Sequence, residues 1–377
     1  MAIEIRYAHL DEYPQISRFL DNYWAKNHVY TRERGLFDWT FHRPGHWCSD
    51  KYSMSLAVDG NELVGILGGI PFTLNRFGKS SKAVWIVNYV IRPDYRRGAT
   101  ALQLLSSFRR QEFSAVVAFG INPATVAIYQ VLRGQVLPEI PRHILVMPGQ
   151  AERMVRALRV AYPEWGDERV CDLSSSFELT AVPTAPRHYG LTLPSNWDER
   201  DWPEHAVSTL GAARDYDYLD WRYRSHPIFR YEFIGVEEDN KTGLAVWRQE
   251  TIRTETPNGP QEVDRIARLV EFLPSSRENA EPLFAAFLRE VARSGAMAAD
   301  FYGYHGQTRE WMEEMGFRVS DTHPDGPYFP SRFQPLDGKG GGIMSAIFLQ
   351  DSALPCSNDS ECPWYWTKSD SDQDRPN

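Results

Sequence analysis

Apolar and polar positions alternate with period two along "YSMSLAVDGNELVGILGGIPFTL" (52–74) and again along "YEFIGVEEDNKTGLAVWRQETI" (231–252). Such alternation predicts half-buried β-strands, and "DGNE" and "EDNKTG" predict the hairpin turns between them. Each pair leads to an apolar strand, a proline and a helix with Leu and Phe at helical spacing: "VNYVIRPDYRRGATALQLLSSFRRQ" (87–111) and "ARLVEFLPSSRENAEPLFAAFLREV" (267–291). A further strand follows in each case, "AVVAFGIN" or "AMAADFYGY", and then a short helix closed by Gly134 or Gly316. The pattern is therefore written twice. "LFDWTFHRP" (36–44) resembles "YLDWRYRSHP" (218–227), and Trp39 to Gly134 and Trp221 to Gly316 both span 95 residues. A fixed offset of pattern and spacing predicts an internal duplication.

The expected class is α/β (α+β): two tandem domains, each a mixed, mostly antiparallel twisted sheet flanked by helices. The repeat places the first domain at 1–145, a connector at 146–205, the second domain at 206–350 and a polar tail at 351–377. The tail "SNDSECPWYWTKSDSDQDRPN" reads as solvated, although "PWYW" is aromatic enough to dock.

Composition narrows the function classes. The 377 residues carry a net charge of -9, which argues against nucleic acid as a partner. No apolar run approaches a membrane span, and "MAIEIRYAHLDEYPQ" lacks a signal-peptide core, so a cytoplasmic protein with no membrane partner is expected. Cys48, Cys171, Cys356 and Cys362 lack zinc-site spacing, and no metal is expected. A monomer or homodimer is expected.

One turn stands out. In "RPDYRRGATALQLL", Arg96 and Arg97 precede Gly98, Ala99, Thr100 and Ala101 at the start of a helix. Cations there oppose the helix dipole. A bound pyrophosphate would resolve the conflict, because helix N-termini offer free N–H groups and small residues let phosphates approach. A surface helix with two solvated arginines is the alternative.

This stretch resembles the acyl-CoA-binding motif of the GCN5-related N-acetyltransferases, in which Arg/Gln-x-x-Gly-x-Gly/Ala follows the fourth strand. Arg96 fills the arginine slot, Ala99 and Ala101 fill the small-residue slots, and the glycine is displaced to Gly98. The family's second signature fits "NPATVAIYQVLRG" without gaps: Asn122, Tyr129 seven residues on, and Gly134 five later. The resemblance implies acetyl-CoA or another acyl-CoA as cosubstrate. It implies that Val90, Ile91 and Arg92 pair with the pantetheine like an added strand, that Asn122 contacts its arm, and that Tyr129 faces the leaving thiol. It also implies transfer to the primary amine of a small molecule. A nucleotide-linked amino sugar for bacterial surface polysaccharide is favoured over an antibiotic, a polyamine, a protein lysine or a non-catalytic CoA-binding role.

The general base is left open. The fourth strand, "AVWIVNYVIR", has no carboxylate, so Asn88 is expected to hold a water, with His42 and His46 as other candidates. Trp39, His42 and Tyr89 are candidate acceptor contacts, with Trp24 and Trp85 as further stacking candidates. Gly68 and Gly69 mark either an acyl pocket or a strand bend. At the repeat's 182-residue offset, Tyr129 aligns with Trp311 and Asn122 with Tyr304, and Glu278 and Glu281 stand in the second basic-turn position. Acidic residues there repel phosphate, so one working site is expected, in the first half.

Overall fold

A computed structural model describes residues 3–238, 240–256, 259–319, 342–349 and 362–376. In chain order the strands are β1 Glu4–His9, β2 Lys51–Asp59, β3 Glu62–Arg76, β4 Lys79–Ile91, β5 Ala115–Ile121, β6 Gln135–Leu137, β7 Arg142–Val146, β8 Leu210–Ala212, β9 Glu232–Glu238, β10 Lys241–Thr256, β11 Gly259–Leu273, β12 Ala298–Tyr302, β13 Arg318–Val319, β14 Met344–Leu349 and β15 Trp364–Tyr365. They form two mixed sheets. The first runs β1-β2-β3-β4-β5-β14-β6, with β8 beside β3 and β15 beside β8. The second runs β13-β7-β12-β11-β10-β9. The α/β fold read from periodicity is the one observed, and both hairpin turns fall where the sequence places them.

The duplication is visible in the strand order. β2 to β5 match β9 to β12, and each half has one parallel pair, β4–β5 and β11–β12. The last parallel rungs are Ile86–Ala118 and Leu269–Phe301, an offset of 183 residues. This corrects the 182-residue alignment by one within the strands: Asn88 corresponds to Glu271, and Asn122 to His305, which likewise caps a helix. Trp39 and Trp221 meet across the seam, ring centroids 4.9 Å apart at 21°. Trp39 Nε1 donates to the Trp221 carbonyl at 3.2 Å. Contact between equivalent residues is what an approximate twofold axis beside them produces.

The halves are not separate sheets. β7 leaves the first half and pairs with β12 and β13 of the second sheet. β14 leaves the second half and inserts between β5 and β6 of the first. Each half thus supplies the other with the strand beside its short last strand. The boundaries at 145 and 205 follow the repeat rather than the sheets, since β7 sits in the second sheet and β8 in the first.

Sequence alternation assigns the faces. Val84, Ile86, Val116 and Ala118 turn toward the helix Thr100–Arg109. Trp85, Val87, Val117 and Phe119 turn inward to a core shared with Leu244, Val246 and Val270 of the second sheet. Ala245, Trp247, Ala267 and Leu269 pack under the helix Arg277–Ser294. Helices Ala151–Ala161 and Asp167–Ser176 of the connector cover Ile144, Ile266 and Ala298. No helix among the described residues is long and apolar enough to cross a membrane.

The polar tail departs from expectation. Residues 351–361, with Cys356, lie outside the described residues. From Cys362 onward the chain runs between the sheets, with Trp364 and Trp366 each 1% exposed. Asp370 and Asp374 are buried because each meets an opposite charge from the second half, while Asp372 pairs with Arg375 of the tail at 2.6 Å. Asp374 accepts two hydrogen bonds from Arg248, at 2.7 and 3.1 Å, and one from the Tyr231 hydroxyl at 2.7 Å. Asp370 accepts from Arg214 at 2.8 Å, and Arg214 also bonds Glu271 at 2.8 Å.

Burial alone would raise the Asp374 pKa. Arg248 more than offsets that and holds the carboxyl well below its usual range. A depressed folded-state pKa contributes stability above the unfolded value, and this is lost as pH falls toward the folded value. Asp374→Asn is therefore expected to destabilise the protein by about 3–5 kcal/mol at pH 7, because Arg248 loses the more buried of its two carboxylate partners and keeps Glu250. In urea titrations the gap to wild type should narrow below about pH 4. A gap independent of pH would contradict the assignment.

Candidate active site

The gap between β4 and β5 is the centre of the candidate site. The strands are paired only from Ala83–Ala115 to Ile86–Ala118. Beyond that rung both are bent. β4 carries a bulge, its register against β3 jumping from Gly68–Val87 to Ile66–Val90, with Asn88 at φ 49°. β5 has Gly120 at φ 76°, where its register against β14 also jumps. A bulge ends the ladder and adds twist, so the strands splay. Asn88 and Gly120 each stand two residues past the last rung, on opposite walls of the gap. Asn88 is 7% exposed and its Oδ1 has no hydrogen-bond partner among the described residues.

Alternation decides which backbone groups face this gap. The Arg92 N–H donates to the Val64 carbonyl at 2.9 Å, so Arg92 and Val90 turn toward β3. Tyr89 and Ile91 turn toward the gap instead. This corrects the expectation that Val90 and Arg92 offer their backbone there. The Arg92 side chain is committed as well, to Glu62 at 2.7 Å and Asp94 at 2.8 Å.

The basic turn follows. Arg96 donates Nε to the Ile91 carbonyl at 3.0 Å, which anchors the turn to the strand end. Arg96, Arg97, Gly98 and Ala99 are exposed, and Thr100 is buried. Ala99 caps the helix Thr100–Arg109 without any side-chain hydrogen bond. The helix N-terminus therefore presents amides to solvent beside two arginines, neither of which pairs with a carboxylate among the described residues. Tyr89, expected as an acceptor contact, instead ties the strand to the helix: its hydroxyl donates to the Ala101 carbonyl.

Asn122 caps the turn Pro123–Thr125, its Oδ1 accepting from the Ala124 N–H at 2.9 Å. The helix Val126–Val131 then carries Tyr129, whose ring lies 6.0 Å from that of Phe348 on β14. A Cβ on Gly134 would stand 2.9 Å from the Phe348 ring, so the glycine permits this packing. Phe348 belongs to the exchanged strand, and no local sequence signal marked it. Desolvation raises the Tyr129 hydroxyl pKa, and burial followed by the neighbouring Tyr129 raises that of Tyr89. Both phenols remain protonated donors at neutral pH.

Other sequence candidates lie elsewhere. His42 Nε2 is 3.0 Å from the Ser49 carbonyl and His46 Nε2 is 3.2 Å from Asp217 Oδ2, so both serve loop structure. Trp85 stacks on Phe72 at 3.8 Å inside the core, while Trp24 is 49% exposed. Gly68 and Gly69 leave no acyl pocket between them. A Cβ on either would stand 2.6 Å from the Phe41 ring or 2.4 Å from the Phe108 ring.

The second half has the same gap, and the tail fills it. Phe272 corresponds to Tyr89, and its N–H and carbonyl both bond the Tyr365 hydroxyl, at 3.1 and 3.2 Å. Gly303, the counterpart of Gly120, bridges to Thr367, and the Tyr304 N–H donates to the Trp366 carbonyl at 3.1 Å. Glu271, at the position of Asn88, is locked by Arg214. In the first half the tail reaches β5 through Gln373, which donates Nε2 to the Phe119 carbonyl at 3.2 Å, and through Trp366, whose ring lies 5.8 Å from that of Phe119. Sequence reasoning missed both tail contacts.

No protein-family model matches the sequence, and no curated protein matches it. Solved structures do. The chain is similar to Saccharomyces cerevisiae N-myristoyltransferase with bound myristoyl-CoA and inhibitors, at TM-score 0.54 and 13% identity over 96% of this chain and 85% of that one. It is similar to a GCN5-related N-acetyltransferase from Kribbella flavida at TM-score 0.51 and 14% identity, over 93% and 72%. A probable N-acyltransferase of unknown function from Enterococcus faecalis matches at TM-score 0.52 and 12% identity, over 93% and 72%. The chain spans 65% of the length of a GCN5-related N-acetyltransferase from Anabaena variabilis. The fold is thus that of the GCN5-related N-acetyltransferases.

Tyr365→Phe removes the hydroxyl that closes the second gap and leaves the Phe272 amide and carbonyl buried without it. A loss of about 1–3 kcal/mol in chemical denaturation is expected. Unchanged stability would mean that the hydroxyl does not seal this gap.

Proposed function

We propose that the chain is an acyl-CoA-dependent N-acyltransferase with one working site, in its first half. The observation that carries this reading is the open β4–β5 gap, with the Arg96–Ala101 turn following β4 and the helix of Tyr129 following β5. The turn suits a pyrophosphate: exposed amides, two arginines and small residues converge on one point. Backbone groups of Tyr89 and Ile91 along the gap suit an extended pantetheine arm. The Asn122 amide nitrogen remains available to that arm, since only its oxygen caps the helix. Every corresponding feature of the second half is occupied or acidic.

The chemistry is transfer of an acyl group from thioester to amine. The neutral amine nitrogen attacks the thioester carbonyl carbon, a C–N bond forms and the C–S bond breaks. The nitrogen gives up one proton, and the departing sulfur receives one from Tyr129 or bears a hydrogen bond from it. Asn88 cannot ionise. Its buried carbonyl oxygen holds the amine or a water by accepting an N–H or O–H. For the acceptor we favour a nucleotide-linked amino sugar, because Trp39 and Trp221, stacked at the seam between the halves with Arg43 over Trp221, offer aromatic faces that suit a base or sugar.

Charge reversal at Arg96 and Arg97 to Glu is expected to weaken CoA binding by about 1–3 kcal/mol, with a reduced salt dependence. Calorimetry should also give one CoA per chain; two equal sites would contradict the asymmetry. Tyr129→Phe keeps the ring against Phe348 and removes the donor, so turnover should fall about 10- to 10⁴-fold with CoA affinity little changed. Trp311→Phe should leave turnover intact. Full turnover by Tyr129→Phe, with chemistry rate-limiting, would reduce Tyr129 to a packing residue.

A further inference from the structure

Arg222 is a buried cation with no ion-paired carboxylate among the described residues. It is 2% exposed, and its Nε and Nη2 are enclosed with no hydrogen bond among the described residues. What it does touch is aromatic: its guanidinium lies 5.4 Å from the Trp39 ring centroid and 5.9 Å from that of Trp221. The acidic groups around it are spent. Asp374 is bound by Arg248 and Tyr231, Asp370 by Arg214, and Glu271 by Arg214 and Tyr223. A desolvated guanidinium without an anion is costly, and ring faces return only part of that cost.

His226 adds a second unsatisfied donor. Its Nδ1 accepts from the Ile228 N–H at 3.2 Å and the Phe229 N–H at 2.9 Å, which puts the ring proton on Nε2. Nε2 is enclosed without a partner, and the residue is 8% exposed. Burial, with the charge of Arg222, pushes the ring down to about 3, so it stays neutral with that single N–H. The ring meets the edge of Trp39 at 4.6 Å and lines a cleft of about 440 Å³ with Tyr223, Phe229 and Tyr231.

We infer that Arg222 and His226, beside Trp39, form a subsite for an oxyanion, a phosphate or carboxylate, carried by the acyl acceptor. The assignment to the acceptor rests on the acyltransfer reading; the binding of an oxyanion does not. Position separates this subsite from the CoA turn. Arg96 and Arg97 precede the helix that packs on the Val84 and Ile86 face of β4. Trp39 and Trp221 belong to the core on the Trp85 and Val87 face. An acceptor anchored at Arg222 thus approaches the gap from the side opposite to the helix that binds the pyrophosphate.

The test uses the full chain and measures thermal shift and calorimetry with inorganic phosphate, acetate and CoA in separate arms. Phosphate or acetate should stabilise wild type saturably, and whichever does so identifies the anion. The Arg96→Glu, Arg97→Glu double variant should keep that shift and lose the CoA shift. Arg222→Met should lose the anion shift, keep the CoA shift and melt no lower than wild type without anions. His226→Phe should weaken the anion at least fivefold. The inference is overturned if neither anion shifts wild type, if Arg222→Met retains the shift, if it melts below wild type in anion-free buffer, or if CoA alone produces the Arg222-dependent shift. Anion binding without turnover on any amine would defeat the acyltransferase reading alone. Turnover whose KM for the amine is unchanged in Arg222→Met, with no competition by phosphate, would defeat the subsite alone.

Discussion

The exchange of β7 and β14 between the two sheets is the constraint on which the rest of the structure depends. Each sheet lacks the strand beside its short last strand until the other half supplies it. Neither half closes its ladder alone, and an open ladder inside a core leaves backbone groups unpaired. The crossing also places the two inward faces against each other, which creates the shared core, the Trp39–Trp221 contact and the channel through which the tail returns. Even the wall behind Tyr129 comes from the exchanged strand, as Phe348. A single chain with two complementary halves holds its site at the seam by covalent connection.

The same geometry explains why a duplicated fold has one open gap. Both halves splay their parallel pair at a bulge followed, on the neighbouring strand, by a glycine. In the second half Tyr365 satisfies the exposed backbone of Phe272, and Arg214 neutralises Glu271 between β11 and the tail. Those contacts are available only because the tail passes the second gap first. At the first gap it lays the Gln373 amide over Gly120. A Cβ on Gly120 would stand 2.5 Å from Gln373 Oε1, so the glycine and the tail are fitted to each other.

Much of this was legible in the sequence, for reasons that are local. Alternation along 52–74 and 231–252, the repeated Asp-Trp pair, and Asn122, Tyr129 and Gly134 in register each report on neighbours within one turn or one hairpin. The strand exchange was not legible. "RHILV" reads as a buried strand whichever sheet receives it, and periodicity is silent about the partner. The tail misled for a related reason. Asp370 and Asp374 look solvated until Arg214 and Arg248, more than a hundred residues away, are brought onto them. Gly68 and Gly69 were ambiguous because a strand glycine signals close approach without saying whether a ligand or a ring approaches; here Phe41 and Phe108 do. The offset between the halves is 182 residues at Trp39 and Trp221 but 183 at Ile86 and Leu269, a change that no constant offset reveals.

Backbone hydrogen exchange with and without CoA addresses the central claim most directly, because the claim concerns which strand edges and helix terminus are open. CoA is expected to protect the amides of Tyr89 and Ile91 and of the first turn of the helix Thr100–Arg109, and to leave 272–281 unchanged. Protection centred on 272–281, or equal protection of both halves, would contradict the assignment of a single open gap to the first half.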